Sequence, residues 1–236
     1  QQQQQQQPDF LYPDLVLVLL SSCLRVLNNV ARLNIIAFQA LGVEYQMEMI
    51  HLLRILVPYC SERIGNAKAV DSLLKQLLLF MGYFSLKNKA NQDLFRWGKV
   101  PTLMQHLCNL PFMFFSNAEK KELLLPTLIC ATFENKANEE LMGREMNGKL
   151  LAQYLEAKLQ LLAKKEQAEH KSSRGGGVEG RVRSTDFSDS KKKTHHPPEK
   201  REQPQQQLDF TKLMHRFPMA LWEKAVSFYT HAAPPS

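Results

Sequence analysis

From Asp14 to about Ala163 the apolar residues return every three or four positions, and few stretches alternate as strands do, so the pattern predicts an all-α region. Asp14, following Pro13, suits a helix N-cap, and the first helix is expected to run through about Leu27. Asn28 or Asn29 then starts a second helix that ends before Gly42. A third is expected over 44–57, closed by Pro58, and a long buried one over 67–84. A short helix over 91–97 stops at Gly98, and another over 100–109 ends at the Leu110-Pro111 step. The next, 119–133, contains Pro126, which removes a backbone hydrogen bond and predicts a kink. Helices over 138–145 and 147–163 then repeat the short-then-long order.

That order carries a sequence signature. Asn88-Lys89-Ala90-Asn91 returns 47 residues later as Asn135-Lys136-Ala137-Asn138, and the same offset places Leu78 on Leu125, Leu94 on Leu141 and Leu103 on Leu150. Repeats of about 40–47 residues made of two or three helices are of the armadillo and HEAT type. One such unit cannot bury its apolar face alone, so stacking is required. Gly98-Lys99-Val100-Pro101-Thr102-Leu103 fits an armadillo turn, with Gly freeing the bend and Pro suiting the first helical turn. The second copy has Glu145, Met146 and Asn147 there, so its turn is made differently. The expected fold is a right-handed armadillo/HEAT-like solenoid over 10–163.

Three flanking pieces complete the organisation. Residues 1–9 are Gln-rich and expected to be disordered. The polar interval 164–207, with Gly175-Gly176-Gly177 and Pro197-Pro198, reads as a disordered basic linker. Within 208–231, Phe217, Leu221, Ala225 and Phe228 share one helical face that Pro218 can start, with Trp222 and Tyr229 beside them, so this helix is expected to fold back on the repeats. Beginning with Gln1, the chain is expected to be a piece of a longer polypeptide.

Charge alters the picture only once it is located. Of the formal +7, +5 falls between Lys164 and Arg201, which hold 11 Lys and Arg against 6 Asp and Glu. The folded part is close to neutral. No secretory signal is evident, and the apolar stretches meet Arg25 and Glu134 after about half a membrane span. Cys23, Cys60, Cys108 and Cys130 are well separated among apolar neighbours and read as reduced core thiols of a cytoplasmic protein.

Catalytic and metal chemistry is not evident. His195-His196 has no Cys or carboxylate at ligand spacing, and His51 and His106 stand singly among leucines, as partly buried histidines do. The triple glycine lacks the Gly-Lys-Ser/Thr ending of a phosphate loop. Ser184, Thr185, Ser188 and Ser190 sit near basic residues and are candidate phosphorylation sites. The chain is therefore read as a non-enzyme without cofactor or metal, and with no small-molecule substrate. A solenoid presents its last helices along a concave surface, which nominates Thr102, Gln105, His106 and Asn109, and Lys149, Gln153 and Glu156 of the next repeat, to meet a partner protein; an ordinary wet face is the equally open reading. Lys87, Lys89, Arg96 and Lys99, matched by Lys136 and Arg144, form a basic rim near Trp97. That rim would suit an acidic protein or, as the alternative, RNA or the ribosome.

Leu110-Pro111-Phe112-Met113-Phe114-Phe115-Ser116, with Met81-Gly82-Tyr83-Phe84, Thr102-Leu103-Met104-Gln105-His106-Leu107-Cys108 and the closing Arg216-Phe217-Pro218 and Leu221-Trp222-Glu223, resembles the C-terminal region of the SCAPER family, S-phase cyclin A-associated proteins in the endoplasmic reticulum. The likeness covers most of 10–160 and about 210–230. It implies a cytoplasmic adaptor associated with the cytosolic side of the endoplasmic reticulum. Its implied partners are cyclin A, a tetratricopeptide-repeat adaptor on translating ribosomes and the deadenylase complex, hence a link to mRNA decay. The family's zinc finger and long charged helices are absent from this chain, and the Gln tract and long linker depart from the animal pattern.

Overall fold

The computed structural model describes residues 12–174 and 216–231, and among these every regular element is helical. In order they are α1 (Asp14–Leu33), α2 (Ile35–Glu44), α3 (Gln46–Glu62), α4 (Lys68–Ser85), α5 (Lys89–Asp93) with a 3₁₀ turn Leu94–Arg96, α6 (Leu103–Cys108), α7 (Met113–Ser116), α8 (Ala118–Thr132), α9 (Lys136–Glu145), α10 (Lys149–Arg174) and, after a 3₁₀ turn Met219–Leu221, α11 (Trp222–Thr230). The all-α reading stands. The expectations for 1–9, for 175–207 including His195, His196 and the four phosphorylation candidates, and for 208–215 lie outside the described residues.

Helix α4 is the centre. From Leu77 to Ser85 its side chains are buried almost all round because α1 packs on one flank and α8 on the other, while Asp71, Ser72 and Lys75 in its first half are exposed. Helix α1 presents Leu17, Ser21, Leu24, Asn28 and Ala31 to it, a stripe at helical spacing. Two of those positions are polar and both are answered across the interface: Ser21 Oγ lies 2.9 Å from Ser72 Oγ, and Asn28 Nδ2 donates to the carbonyl and side-chain oxygens of Gln76 at 3.1 and 3.0 Å. On the other flank Thr127 donates to the Leu78 carbonyl at 2.7 Å. A second layer, in which α3 meets α6 and α6 meets α9, backs this row, and α10 carries α11.

The copies of Asn-Lys-Ala-Asn build the same turn twice. After α4, Leu86 ends the helix, Lys87 takes a left-handed φ of 52°, and Asn88 caps α5 by accepting from the Asn91 N–H. After α8, Phe133 ends the helix, Glu134 takes φ 59°, and Asn135 caps α9 through the Asn138 N–H. Asn91 and Asn138 turn back: each donates to a carbonyl seven residues earlier, Phe84 at 2.8 Å and Ala131 at 2.7 Å. A glutamine then closes each helix end from the preceding unit. Gln39 donates to the Tyr83 and Leu86 carbonyls, and Gln92 to those of Cys130 and Phe133. These bonds satisfy C-terminal carbonyls that a helix cannot satisfy itself.

Several expected boundaries move. Asn28 does not start a new helix, because its amide is held by Gln76 and the buried stripe continues to Ala31; Asn34 makes the cap, accepting from Ala37 N–H. Helix α3 passes through Pro58 to Glu62, since buried Tyr59 and Cys60 continue its packing face. Pro101 lies outside α6, where Thr102 and Gln105 form a reciprocal capping box, and the Val100-Pro101 peptide is cis. Helix α5 begins directly after Asn88 and not at Asn91. Helix α10 extends to Arg174, so 164–174 is helical where a linker was expected: Ala163, Lys164, Lys165, Glu166, Gln167 and Ala168 are strong helix formers, and their polarity was misread as disorder. Cys23 is exposed, unlike the three other thiols.

Pro126 has a specific repair. It lies inside α8 and cannot donate to the Glu122 carbonyl one turn back. Arg216, 1% exposed, fills that gap: its Nη2 donates to the Glu122 carbonyl and its Nη1 to the Leu123 carbonyl at 2.8 Å and Thr127 Oγ1 at 3.2 Å. From there Phe217 packs edge-on against Phe133, and Tyr229 meets the Thr132 hydroxyl at 2.8 Å. Beside this anchor Glu122 pairs with Lys158 at 2.6 Å and accepts from Tyr154 at 2.8 Å, joining α8 to α10.

Candidate interaction surfaces

The polar face nominated on α6 is largely occupied. Thr102 is 6% exposed and caps its own helix. Gln105 Nε2 donates to Glu145 at 2.7 Å, and Asn109 Nδ2 reaches the other Glu145 oxygen at 3.0 Å, so the two amides hold α9 against α6 and draw the Glu145 carboxyl below its ordinary range. His106 is half-buried, and burial followed by the Arg54 charge pushes its pKa down against a smaller pull from Glu62, which keeps the ring neutral at pH 7. Lys149, Gln153 and Glu156 are exposed on α10.

The basic rim divides. Lys87, Lys89 and Lys99 are exposed. Arg96 is committed, its Nε donating to Asn138 Oδ1 and its Nη2 to Asp93, both at 2.6 Å. Lys136 pairs with Glu139, and Arg144 is exposed. Trp97, 39% exposed, is braced by the exposed His51 ring at 5.2 Å and by Arg54 over its face at 5.9 Å. Arg54 also donates to the Lys99 carbonyl, passing so close to Gly98 that a Cβ there would lie 1.7 Å from Nη1. The guanidinium could swing away from a Cβ, but the Gly98 φ of 92° is a conformation that favours glycine.

The best-formed concavity lies elsewhere. A cleft of about 590 Å³ opens along α1, α4 and α8. Arg25, Asn29 and Arg32 of α1 line one wall, and Lys75 and Gln76 of α4 the next. Lys120 of α8 closes the third side, its Nζ 3.0 Å from Met113 Sδ and over the Phe114 ring. Tyr83, 3% exposed, also lines it. Burial raises the Tyr83 pKa, with Arg216 and Arg32 pulling the other way. Asp71 and Glu119 are the acidic members, Asp71 being held by the Gly65 N–H at 2.9 Å. Arg25, Arg32 and Lys75 have no ion-pair partner among the described residues.

None of this lining was nominated from sequence, though a signal was there. Positions 25, 28, 29 and 32 share one helical face, as do 71 and 75, so α1 and α4 each carry a polar stripe beside the apolar one. A second surface is apolar: Leu15, Val18, Leu19 and Val26 of α1 are more than half exposed. By length and composition α1 is long and apolar enough to cross a bilayer, although its Ser21 and Asn28 are engaged by α4.

The buried thiols are unsuited to nucleophilic or ligand chemistry near neutrality. Burial pushes Cys60, Cys108 and Cys130 up to about 12, with Arg63 and Arg216 offsetting only part of it at Cys60 and Cys130.

No family model matches the chain. Over 135 residues, 56% of this chain and 9% of the relative, it is 33% identical to the Homo sapiens S phase cyclin A-associated protein in the endoplasmic reticulum. The chain thus spans about a tenth of the length of the relative it matches, and the resemblance read from its residues is shown: it is similar to a region of the SCAPER family.

Proposed function

We propose that this chain is a non-catalytic protein-interaction scaffold, its helices stacked as a short right-handed armadillo/HEAT-like solenoid. The observation that carries the reading is the open cleft where α1, α4 and α8 lie side by side, three of whose lining cations, Arg25, Arg32 and Lys75, have no ion-pair partner among the described residues. The repeated capping of helix ends from the preceding unit, by Gln39 and then Gln92, supports a stacked array. The relative's name describes a cyclin A-associated protein of the endoplasmic reticulum. On that likeness a regulatory adaptor on the cytosolic side of that organelle is the role proposed here, with cyclin A, a tetratricopeptide-repeat adaptor or the deadenylase complex as partners and a link to ribosome-coupled mRNA decay.

The alternative, an RNA- or ribosome-contacting module, draws on exposed Lys87, Lys89 and Lys99. Affinity capture from cytoplasmic extract separates the two. A scaffold retains a defined protein partner after nuclease and in high salt, and loses it on a cleft charge reversal such as Lys75→Glu. Loss of all partners with nuclease, or a steep fall with salt that follows Lys87→Glu and Lys89→Glu, favours the nucleic-acid reading and sinks the first.

A further inference from the structure

Resting on the scaffold reading, the geometry points to an acidic protein segment as the occupant of the α1–α4–α8 cleft, with Arg25, Arg32 and Lys75 receiving its carboxylates and the Tyr83 hydroxyl donating from the floor. Two independent observations meet there. The first is charge: three exposed cations line two adjoining walls without an ion-pair partner among the described residues, and Lys120 adds a fourth at the α8 side. Cations gathered in a concave site raise the local concentration of anions and strengthen hydrogen bonds to them. The second is an unused polar group. Tyr83 is almost wholly buried, but its hydroxyl, which bonds no other described residue, keeps contact with solvent in the cleft. It is therefore free to donate to an incoming acceptor in place of water. Asn29 and Gln76 place neutral amides between the cations, as hydrogen-bonding a peptide backbone requires.

A peptide fits better than RNA for a reason visible in the same lining. Sequence-tolerant binding of single strands relies on exposed aromatic faces for base stacking, whereas the cleft's two rings, Tyr83 and Phe114, are buried in its walls. Asp71 and Glu119 interrupt the positive surface. They would repel a continuous phosphate backbone, but a peptide can set a neutral or basic side chain opposite them.

The test uses the full chain and four probes: a short labelled peptide rich in Glu and Asp, its Gln and Asn counterpart, an oligouridylate, and inorganic phosphate as competitor. The acidic peptide is expected to bind about tenfold more tightly than the neutral one, roughly 1.4 kcal/mol. Lys75→Glu and Arg32→Glu, both at exposed positions, should weaken it about tenfold, and Tyr83→Phe several-fold with an unchanged melting curve. Lys87→Glu, outside the lining, should have much less effect. Equal binding of both peptides, equal loss in Lys87→Glu, displacement of the peptide by phosphate at low concentration, or tighter cleft-dependent binding of the oligouridylate would each overturn the proposal. If partner capture survives while acidic peptides fail, the scaffold stands and the acidic occupant falls; if capture fails too, the scaffold reading falls with it.

Discussion

Asn91 and Asn138 occupy the same place in the same tetrapeptide, and each returns its amide to the helix before it. Beyond that bond their surroundings diverge. Asn138 also donates to the Gln92 carbonyl at 2.7 Å and accepts from Arg96 Nε, so every polar atom of its side chain is used. Its neighbour Asn135 donates to Asp93 at 2.9 Å. Asn91 has none of these additions, and its Oδ1 is buried without a partner. The second copy rests on the first, which supplies a carbonyl, a carboxylate and a guanidinium. The α2–α3 region supplies the first copy with Gln39 at the helix end but nothing for that oxygen. Identical residues therefore carry different energies, because what they are worth depends on what the preceding unit offers.

The comparison can be broken by mutation. Asn138→Ala should cost about 3 kcal/mol in urea unfolding, since it removes the bonds to the buried Ala131 and Gln92 carbonyls and leaves a guanidinium nitrogen without its acceptor, whereas Asn91→Ala should cost about 1 kcal/mol, because it removes one bond and also an unsatisfied oxygen. Equal losses would mean that the extra partners contribute nothing. Arg96→Ala comes next, at about 1–2 kcal/mol, and in a double-mutant cycle with Asn138→Ala the coupling should be about 1 kcal/mol. Additive losses would separate the two residues energetically.

A pH titration sharpens the same contrast. At Asp93 burial raises the carboxyl pKa, but hydrogen bonds from Asn135 and Arg96 outweigh it and leave the pKa below the ordinary 3.8. A carboxyl whose folded pKa is lowered contributes stability above its unfolded value and loses it as pH falls through the folded one. The difference in unfolding midpoint between the protein and Asp93→Asn should therefore be constant near neutrality, begin to shrink as pH falls toward about 4, and vanish only below the folded pKa, which lies under 3.8. A difference that persists at lower pH would remove the carboxylate from the account. The smallest effect concerns the left-handed residues. Lys87→Gly relieves a backbone conformation that favours glycine and should be stabilising by less than about 1 kcal/mol; measurable destabilisation would show that the Lys87 side chain is itself engaged.

The helical class and the 47-residue duplication were legible because they rest on local periodicity and on Asn at caps. The roles within the duplicated motif were not, since the inward turn of Asn91 and Asn138 depends on the preceding helix ending in a left-handed residue, and Lys87 and Glu134 give no sign of that. That two of the nominated amides are already bonded was hidden for a related reason. Expecting the last helix of each repeat to face a partner put weight on Gln105 and Asn109, whose amides are taken by Glu145. The polar stripes of α1 and α4 were in plain sequence, but only packing sets them on adjoining walls of one cleft. The extent of α10 was missed because charge was read as disorder.

The proline in α8 has a bearing on how this chain can change over generations. Its open carbonyl and the guanidinium of Arg216 make a long-range staple that does not depend on how many residues intervene. Replacing Pro126 would restore the N–H that the guanidinium stands in for, whereas replacing Arg216 alone leaves the Glu122 carbonyl open, so changes at the two positions should be tolerated together more readily than a change at Arg216 alone.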